Sequence, residues 1–115
     1  MVRQYLFRHG VRYRLHVRTL PGRPDVVLSK YHTVILVHGC FWHQHVGCRY
    51  AREPLSNRAY WLSKLQATTD RDAVQSLALQ QLGWKTLVVW ECELKRDPSA
   101  RCQKLLNEIF HGSEP

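Results

Sequence analysis

Apolar and polar positions follow two periods along this chain. Residues 2–8 read as the end of a helix, with Gly10 as its stop. Val11, Tyr13, Leu15 and Val17 then alternate with Arg12, Arg14 and His16, the pattern of a half-buried strand. Residues 20–24, Leu-Pro-Gly-Arg-Pro, form a turn, because two prolines around a glycine cannot continue a ladder. Two short β-rich runs follow at 25–28 and 33–37, separated by a turn. From 38 to 50 the periodicity breaks into histidine, cysteine, glycine and aromatics. Ser56 is placed to cap a long helix over about 57–81, with a kink expected near Thr68-Thr69, and Gly83 ends it. Residues 85–90 form another apolar β-rich run. Asp97-Pro98 is a cap followed by a first-turn proline, and the last helix runs to about Phe110 with Gly112 after it. The predicted order is α, β, β, β, α, β, α, which calls for an α/β fold: a mixed sheet flanked by helices.

At 115 residues and 44% apolar, the chain has room for one domain and one core. Its longest apolar runs fall far short of the roughly 20 residues that span a bilayer. No secretory leader is visible at the N-terminus, so the cytoplasm is the expected compartment. The charge changes the picture most. Seventeen lysines and arginines face nine acids, a formal net charge of +8, and the basic residues are spread through the pattern rather than gathered in a tail. A positive domain surface points to a polyanionic partner such as nucleic acid; an unspecialised basic surface is the plainer alternative. Cys40, Cys48, Cys92 and Cys102, in a chain without a leader, are metal ligands or free thiols rather than disulfides.

Asp25 stands at a strand start beside a loop, where a sheet holds a carboxylate rigidly and the loop leaves access to it. A hard carboxylate there suits Mg²⁺, which would polarise a phosphodiester; a turn residue that satisfies backbone amides is the other reading. Residues 37–48, Val-His-Gly-Cys-Phe-Trp-His-Gln-His-Val-Gly-Cys, hold three histidines, two cysteines and two adjacent aromatics. Histidine titrates near neutrality and serves as a general base or acid. Cys40, His45 and Cys48 form C-x4-H-x2-C, and Cys92 would complete a closed, tetrahedral and therefore structural zinc site. Cys102, in the last helix, reads as a buried free thiol. Phe41 and Trp42 fall outside any regular element, and Tyr60 and Trp61 lie in the first turns of the long helix. Such aromatics on a basic protein either stack on bases or fill a core. Trp84 and Trp90 read as core.

Residues 20–90 resemble the very-short-patch (Vsr) mismatch-repair endonuclease family. The words that carry the resemblance are Leu-Pro-Gly-Arg-Pro-Asp at 20–25, His-Gly-Cys-Phe-Trp-His at 38–43, Trp-Leu at 61–62, Arg-Asp at 71–72, Leu-Gly-Trp at 82–84 and Val-Trp-Glu-Cys at 89–92. The resemblance implies a restriction-endonuclease-like fold of the PD-(D/E)xK type. It also implies nicking of duplex DNA on the 5′ side of the thymine in a T:G mismatch left by deamination of 5-methylcytosine. On that basis Asp25 matches the Mg²⁺-binding aspartate, with the Val37 carbonyl beside it where the family usually has a threonine. His43 matches the general base, and His38 and Asp72 match active-site residues around the metal water. Cys40, His45, Cys48 and Cys92 match the Zn²⁺ ligands, although one extra residue separates His45 from Cys48. Phe41, Trp42 and Trp61 match intercalating aromatics. Arg23, Arg49, Arg52 and Lys64 are candidate phosphate contacts.

The family carries a DNA-gripping segment and a helix with an active-site glutamate ahead of these motifs, and this chain starts inside that helix. An N-terminally truncated, monomeric endonuclease of one domain over 1–115 is the expectation. The alternatives are a DNA-binding relic with weak or no catalysis, and a related restriction or mobile-element nuclease.

Overall fold

A computed structural model describes residues 2–15, 17, 19–51 and 55–111. Its elements are α1 (Val2–Arg8), β1 (Val26–Leu28), β2 (Thr33–His38), α2 (Arg58–Gln81), β3 (Lys85–Trp90), α3 (Glu91–Arg96) and α4 (Pro98–His111), with 3₁₀ turns at Ser29–Tyr31 and Arg49–Ala51. The three strands lie in the order β1-β2-β3. β1 pairs antiparallel with β2, and β2 pairs parallel with β3. The mixed sheet flanked by helices is therefore present.

The strands read as nearly continuous apolar runs because both faces are covered. Val26, Leu28, Ile35, Leu87 and Val89 pack with Val2, Leu6, Leu105 and Ile109 from α1 and α4. Val27 and Val34 face the other way, against Leu79 of α2 and Trp84. Strand alternation carries that second face along β2 to His38, and the parallel register places His38 opposite Trp90 of β3.

α4 opens as its sequence requires, with Asp97 Oδ1 accepting the Ala100 N–H at 3.1 Å. Arg101, on the same helix, ties three elements together. Its Nε donates to Glu93 Oε1, its Nη1 to Glu108 Oε1 and its Nη2 to the Val88 carbonyl, each at 3.1 Å.

Four local expectations are corrected. The strand expected over 11–17 is reduced to a single bridge, in which Arg14 and Val27 exchange both backbone bonds at 2.8 and 2.9 Å. β1 offers only three residues and follows Pro24, which has no N–H to donate, so this ladder has no room to grow. His16 lies outside the described residues. Asp25 does not open β1 but immediately precedes it. Ser56 does not cap α2; Asn57 takes that position in the left-handed conformation (φ 51°), without a side-chain cap, and its carbonyl receives the Trp61 N–H at 3.1 Å. The expected kink at Thr68-Thr69 gives way to one helix over Arg58–Gln81, in which the two hydroxyls donate back to the Lys64 and Gln66 carbonyls. α3 was not foreseen. It follows β3 without a break, started by Glu93, whose carboxylate accepts the Trp90 N–H at 3.0 Å. Among the described residues no helix is long and apolar enough to cross a membrane.

Candidate active site and metal cluster

The parallel strands β2 and β3 end side by side, and the chain leaves β2 into residues 39–48. This segment is wound by short-range backbone bonds rather than by a ladder: His43 N–H to the Gly39 carbonyl at 3.1 Å, His45 to Cys40 at 3.0 Å and Cys48 to His45 at 3.3 Å. The winding sends alternate side chains to two places.

One place is a cavity of about 210 Å³, whose lining includes Arg23, Asp25, Val37, His38, His43 and Asp72. Asp25 arrives from the turn before β1, and its Oδ2 accepts the Val37 N–H at 2.7 Å. That bond pins the carboxylate to β2 while leaving the other oxygen uncommitted to this contact. The turn reading of Asp25 and the functional one therefore coexist: it satisfies a backbone amide and still faces the cavity. Asp72 arrives from the middle of α2, and its Oδ2 lies 2.5 Å from His43 Nδ1. With Nδ1–H donating to a carboxylate, Nε2 is the basic nitrogen of His43. The His38 ring stacks on His43 at 3.9 Å and 7°. Burial, and then the charge of His43, hold the His38 imidazole below its ordinary 6.5, against the opposite pull of Asp72 and Asp25. The neutral form of the His38 imidazole is thereby favoured. Ligand atoms of His38, His43 and Asp72 lie within 4.8 Å of one another, while Asp25 lines the same cavity outside that triplet.

The other place gathers Cys40, His45, Cys48 and Cys92, whose ligand atoms also fall within 4.8 Å of one another. Cys40 Sγ is 3.7 Å and Cys92 Sγ 3.4 Å from His45 Nδ1. Tetrahedral zinc with Zn–S near 2.3 Å and Zn–N near 2.0 Å spaces its sulfur and nitrogen ligands about 3.5 Å apart, so the donor set fits that ion. Burial, and then the Cys40 and Cys48 thiols, push the Cys92 thiol up to about 11, so a divalent cation is what would hold this sulfur as a thiolate. Val46 and Gly47 lie between His45 and Cys48. Gly47 takes φ 72° and the Val46 side chain stands almost fully in solvent, 94% exposed. Cys102 is buried in the α1/α4 core, away from this cluster, as expected.

The aromatics form a third feature. Trp42 touches Phe41 and Trp61 edge-on, both at 5.6 Å, Phe41 reaches Trp61 at 6.1 Å, and Tyr60 joins Trp61 at 5.5 Å. Trp42 and Tyr60 are about half exposed, so the group is an aromatic surface rather than a core. Trp84 is core, stacked on His32 and packed with Val27, Val34 and Leu79. The core assignment of Trp90 needs correction. It is half-buried, stacked on His45 at 4.1 Å and 6° and meeting His38 edge-on at 5.2 Å. Its position facing His38 follows from strand register, which only the assembled sheet reveals.

Among the candidate phosphate contacts, Arg23 lies at the cavity with φ 43°, Arg49 borders a groove beside Cys48, and Lys64 places its ammonium 5.4 Å over the Tyr60 ring. Arg52 lies outside the described residues.

Residues 1–49 match the family model described as DNA mismatch endonuclease Vsr. The type II nicking enzyme V.NmeAIP of Neisseria meningitidis is 44% identical over 95% of this chain and 76% of its own length. V.XorIIP, a type II nicking enzyme of Xanthomonas oryzae, is 47% identical over 81% of this chain and 68% of its own. The DNA mismatch endonuclease Vsr of Escherichia coli is 43% identical over 75% of this chain and 54% of its own.

Proposed function

The chain belongs to the DNA mismatch endonuclease Vsr family, and on that premise we propose that it is a Mg²⁺-dependent endonuclease that nicks duplex DNA 5′ of the thymine in a T:G mismatch. The observation that carries this reading is the His43–Asp72 pair at 2.5 Å in one small cavity with Asp25. Residues 1–115 are read as one restriction-endonuclease-like domain, acting as a monomer in the cytoplasm.

Asp25 and the Val37 carbonyl would hold Mg²⁺ through hard oxygen donors. When bound, that ion supplies Lewis-acid polarisation of the scissile phosphate. Asp72 orients His43 through Nδ1, so Nε2 can take the proton of the attacking water. His38, held neutral, stacks on His43 without adding a second positive charge. Cys40, His45, Cys48 and Cys92 would hold Zn²⁺, which supplies structural order to residues 39–48. Phe41, Trp42 and Trp61 present the aromatic surface that would wedge into the base stack beside the mismatch. A mismatched step costs less to open than a paired one, and that difference selects it.

A second reading, nicking at other mismatched or matched sequences, is favoured by the type II nicking enzymes among the relatives. Purified protein with Mg²⁺, assayed on end-labelled T:G and fully paired duplexes beside Asp25→Ala, decides between them. Cleavage 5′ of the mismatched thymine, absent from the paired duplex and lost in Asp25→Ala, is the expected result. Equal cleavage of both duplexes favours the second reading. Binding without cleavage removes the nuclease reading altogether.

A further inference from the structure

The two histidine-bearing sites are joined by one side chain. The Trp90 indole lies flat on His45, a member of the Cys/His cluster, at 4.1 Å and 6°. It meets His38, a wall of the cavity, edge-on at 5.2 Å and 78°. His38 is stacked flat on His43 at 3.9 Å, and His43 bonds Asp72. The result is a continuous column running His45, Trp90, His38, His43 and Asp72, built of two parallel stacks, one edge-on contact and one side-chain bond.

The ends of this column are held unequally. Trp90 is fixed from its own side by its place opposite His38 in the parallel ladder and by Glu93, which accepts its N–H. Asp72 is fixed on α2. His43 and His45, by contrast, sit in a segment whose backbone bonds, among the described residues, are local turns. Trp90, at the end of β3, is in contact with that segment through His45.

We propose that Trp90 is a positioning residue that couples the Cys40–His45–Cys48–Cys92 cluster to the His43–Asp72 pair, so that order imposed at the cluster sets the placement of His38 and His43 in the cavity. The coupling rests on the reading of that cavity as the nuclease centre. A displacement of about 1 Å at a reacting group is enough to cost on the order of a hundredfold in rate, so loss of the indole acts on the chemical step rather than on DNA binding.

The test uses the zinc-loaded full chain as wild type, Trp90→Phe and Trp90→Leu. It compares zinc content, affinity for a T:G duplex, single-turnover nicking, and histidine side-chain NMR without DNA. Trp90→Leu is expected to keep its zinc and its duplex affinity, to move the His38 and His43 imidazole signals, and to nick about a hundredfold more slowly. Trp90→Phe, which keeps an aromatic face, is expected to recover most of that loss. Unchanged imidazole signals and an unchanged nicking rate in Trp90→Leu would overturn the proposal. So would joint loss of zinc, fold and nicking that Trp90→Phe does not repair, since the indole would then be packing alone. Should Trp90→Leu fail to fold, Trp90→Met takes its place; if both fail while Trp90→Phe folds with unmoved imidazole signals, the proposal is again overturned. If the wild type nicks no duplex, the nuclease reading falls, while the NMR comparison still decides whether Trp90 sets the two histidines.

Discussion

Two sites share one dodecapeptide yet differ in the property that decides what a metal can do there. The Cys/His cluster offers four soft or borderline donors at tetrahedral spacing, Cys40, His45, Cys48 and Cys92, so an ion bound there has no vacant position. The cavity around Asp25 offers few hard donors and leaves room for water and a phosphate. On the proposed reading, neighbouring residues of one loop would serve opposite ends: a saturated site would give rigidity and an unsaturated one chemistry. Alternation along the loop makes this possible, with His38 and His43 turned to the cavity and Cys40, His45 and Cys48 turned to the cluster.

The contrast breaks most sharply when each site loses a ligand. Asp25→Ala is expected to lower nicking by about three orders of magnitude or more, through loss of several kcal/mol of transition-state stabilisation. Its zinc content and thermal midpoint should stay near wild type; a large fall in the midpoint would show that its bond to Val37 is chiefly structural. Cys40→Ser is expected to reverse that profile. Zinc binding should fall to background, and the thermal midpoint should drop steeply, because structural zinc binding is folding free energy. Undiminished zinc by elemental analysis would contradict a four-ligand site.

Within the cavity, His43→Ala is expected to cost about a hundredfold to ten-thousandfold in single-turnover nicking, and Asp72→Asn less, since Asp72 acts through His43. A larger loss in Asp72→Asn would reverse those roles. Trp42→Ala, at a half-exposed ring of the aromatic surface, is expected to weaken mismatch binding by about tenfold to a hundredfold, the worth of one base–aromatic stack. Equal losses on mismatched and paired duplexes would argue against wedging.

The smallest effect concerns pH. His38 has a depressed affinity for protons in the folded state, so the unfolded chain binds more protons just below its ordinary 6.5. Its favourable contribution is complete above that value and is lost as pH falls below it. Wild type should therefore lose stability relative to zinc-loaded His38→Asn as the pH falls below about 6.5. Parallel denaturation midpoints for the two proteins across that range would count against it.

Most of the frame was legible in hydrophobic period alone. Runs at 26–28, 33–38 and 85–90 are apolar enough for a sheet covered on both faces, and Asp97-Pro98 announces α4. Residues 11–17 misled because alternation measures only which way side chains would face, whereas a ladder also needs a partner of sufficient length, and β1 has three residues. α3 was hidden because no glycine or proline separates it from β3, and its start depends on a Glu93 bond to a strand residue. The dense segment 38–48 was readable as chemistry, but its division into two sites was not, since backbone winding decides which ring turns where. Trp90 was misread for the same reason: a tryptophan ending an apolar run is ordinarily core, and only the register across from His38 makes it a neighbour of both sites.

Arg101 has one more consequence. Among the described residues β3 ends the sheet, with β2 as its paired neighbour, and edge strands in general invite pairing with another chain. The Arg101 guanidinium occupies the Val88 carbonyl and is itself anchored to Glu93 and Glu108. A visiting strand would have to displace an arginine already held by two carboxylates before it could bond at that position. The residue that fastens α4 to the sheet thereby also occupies one of the carbonyls of β3.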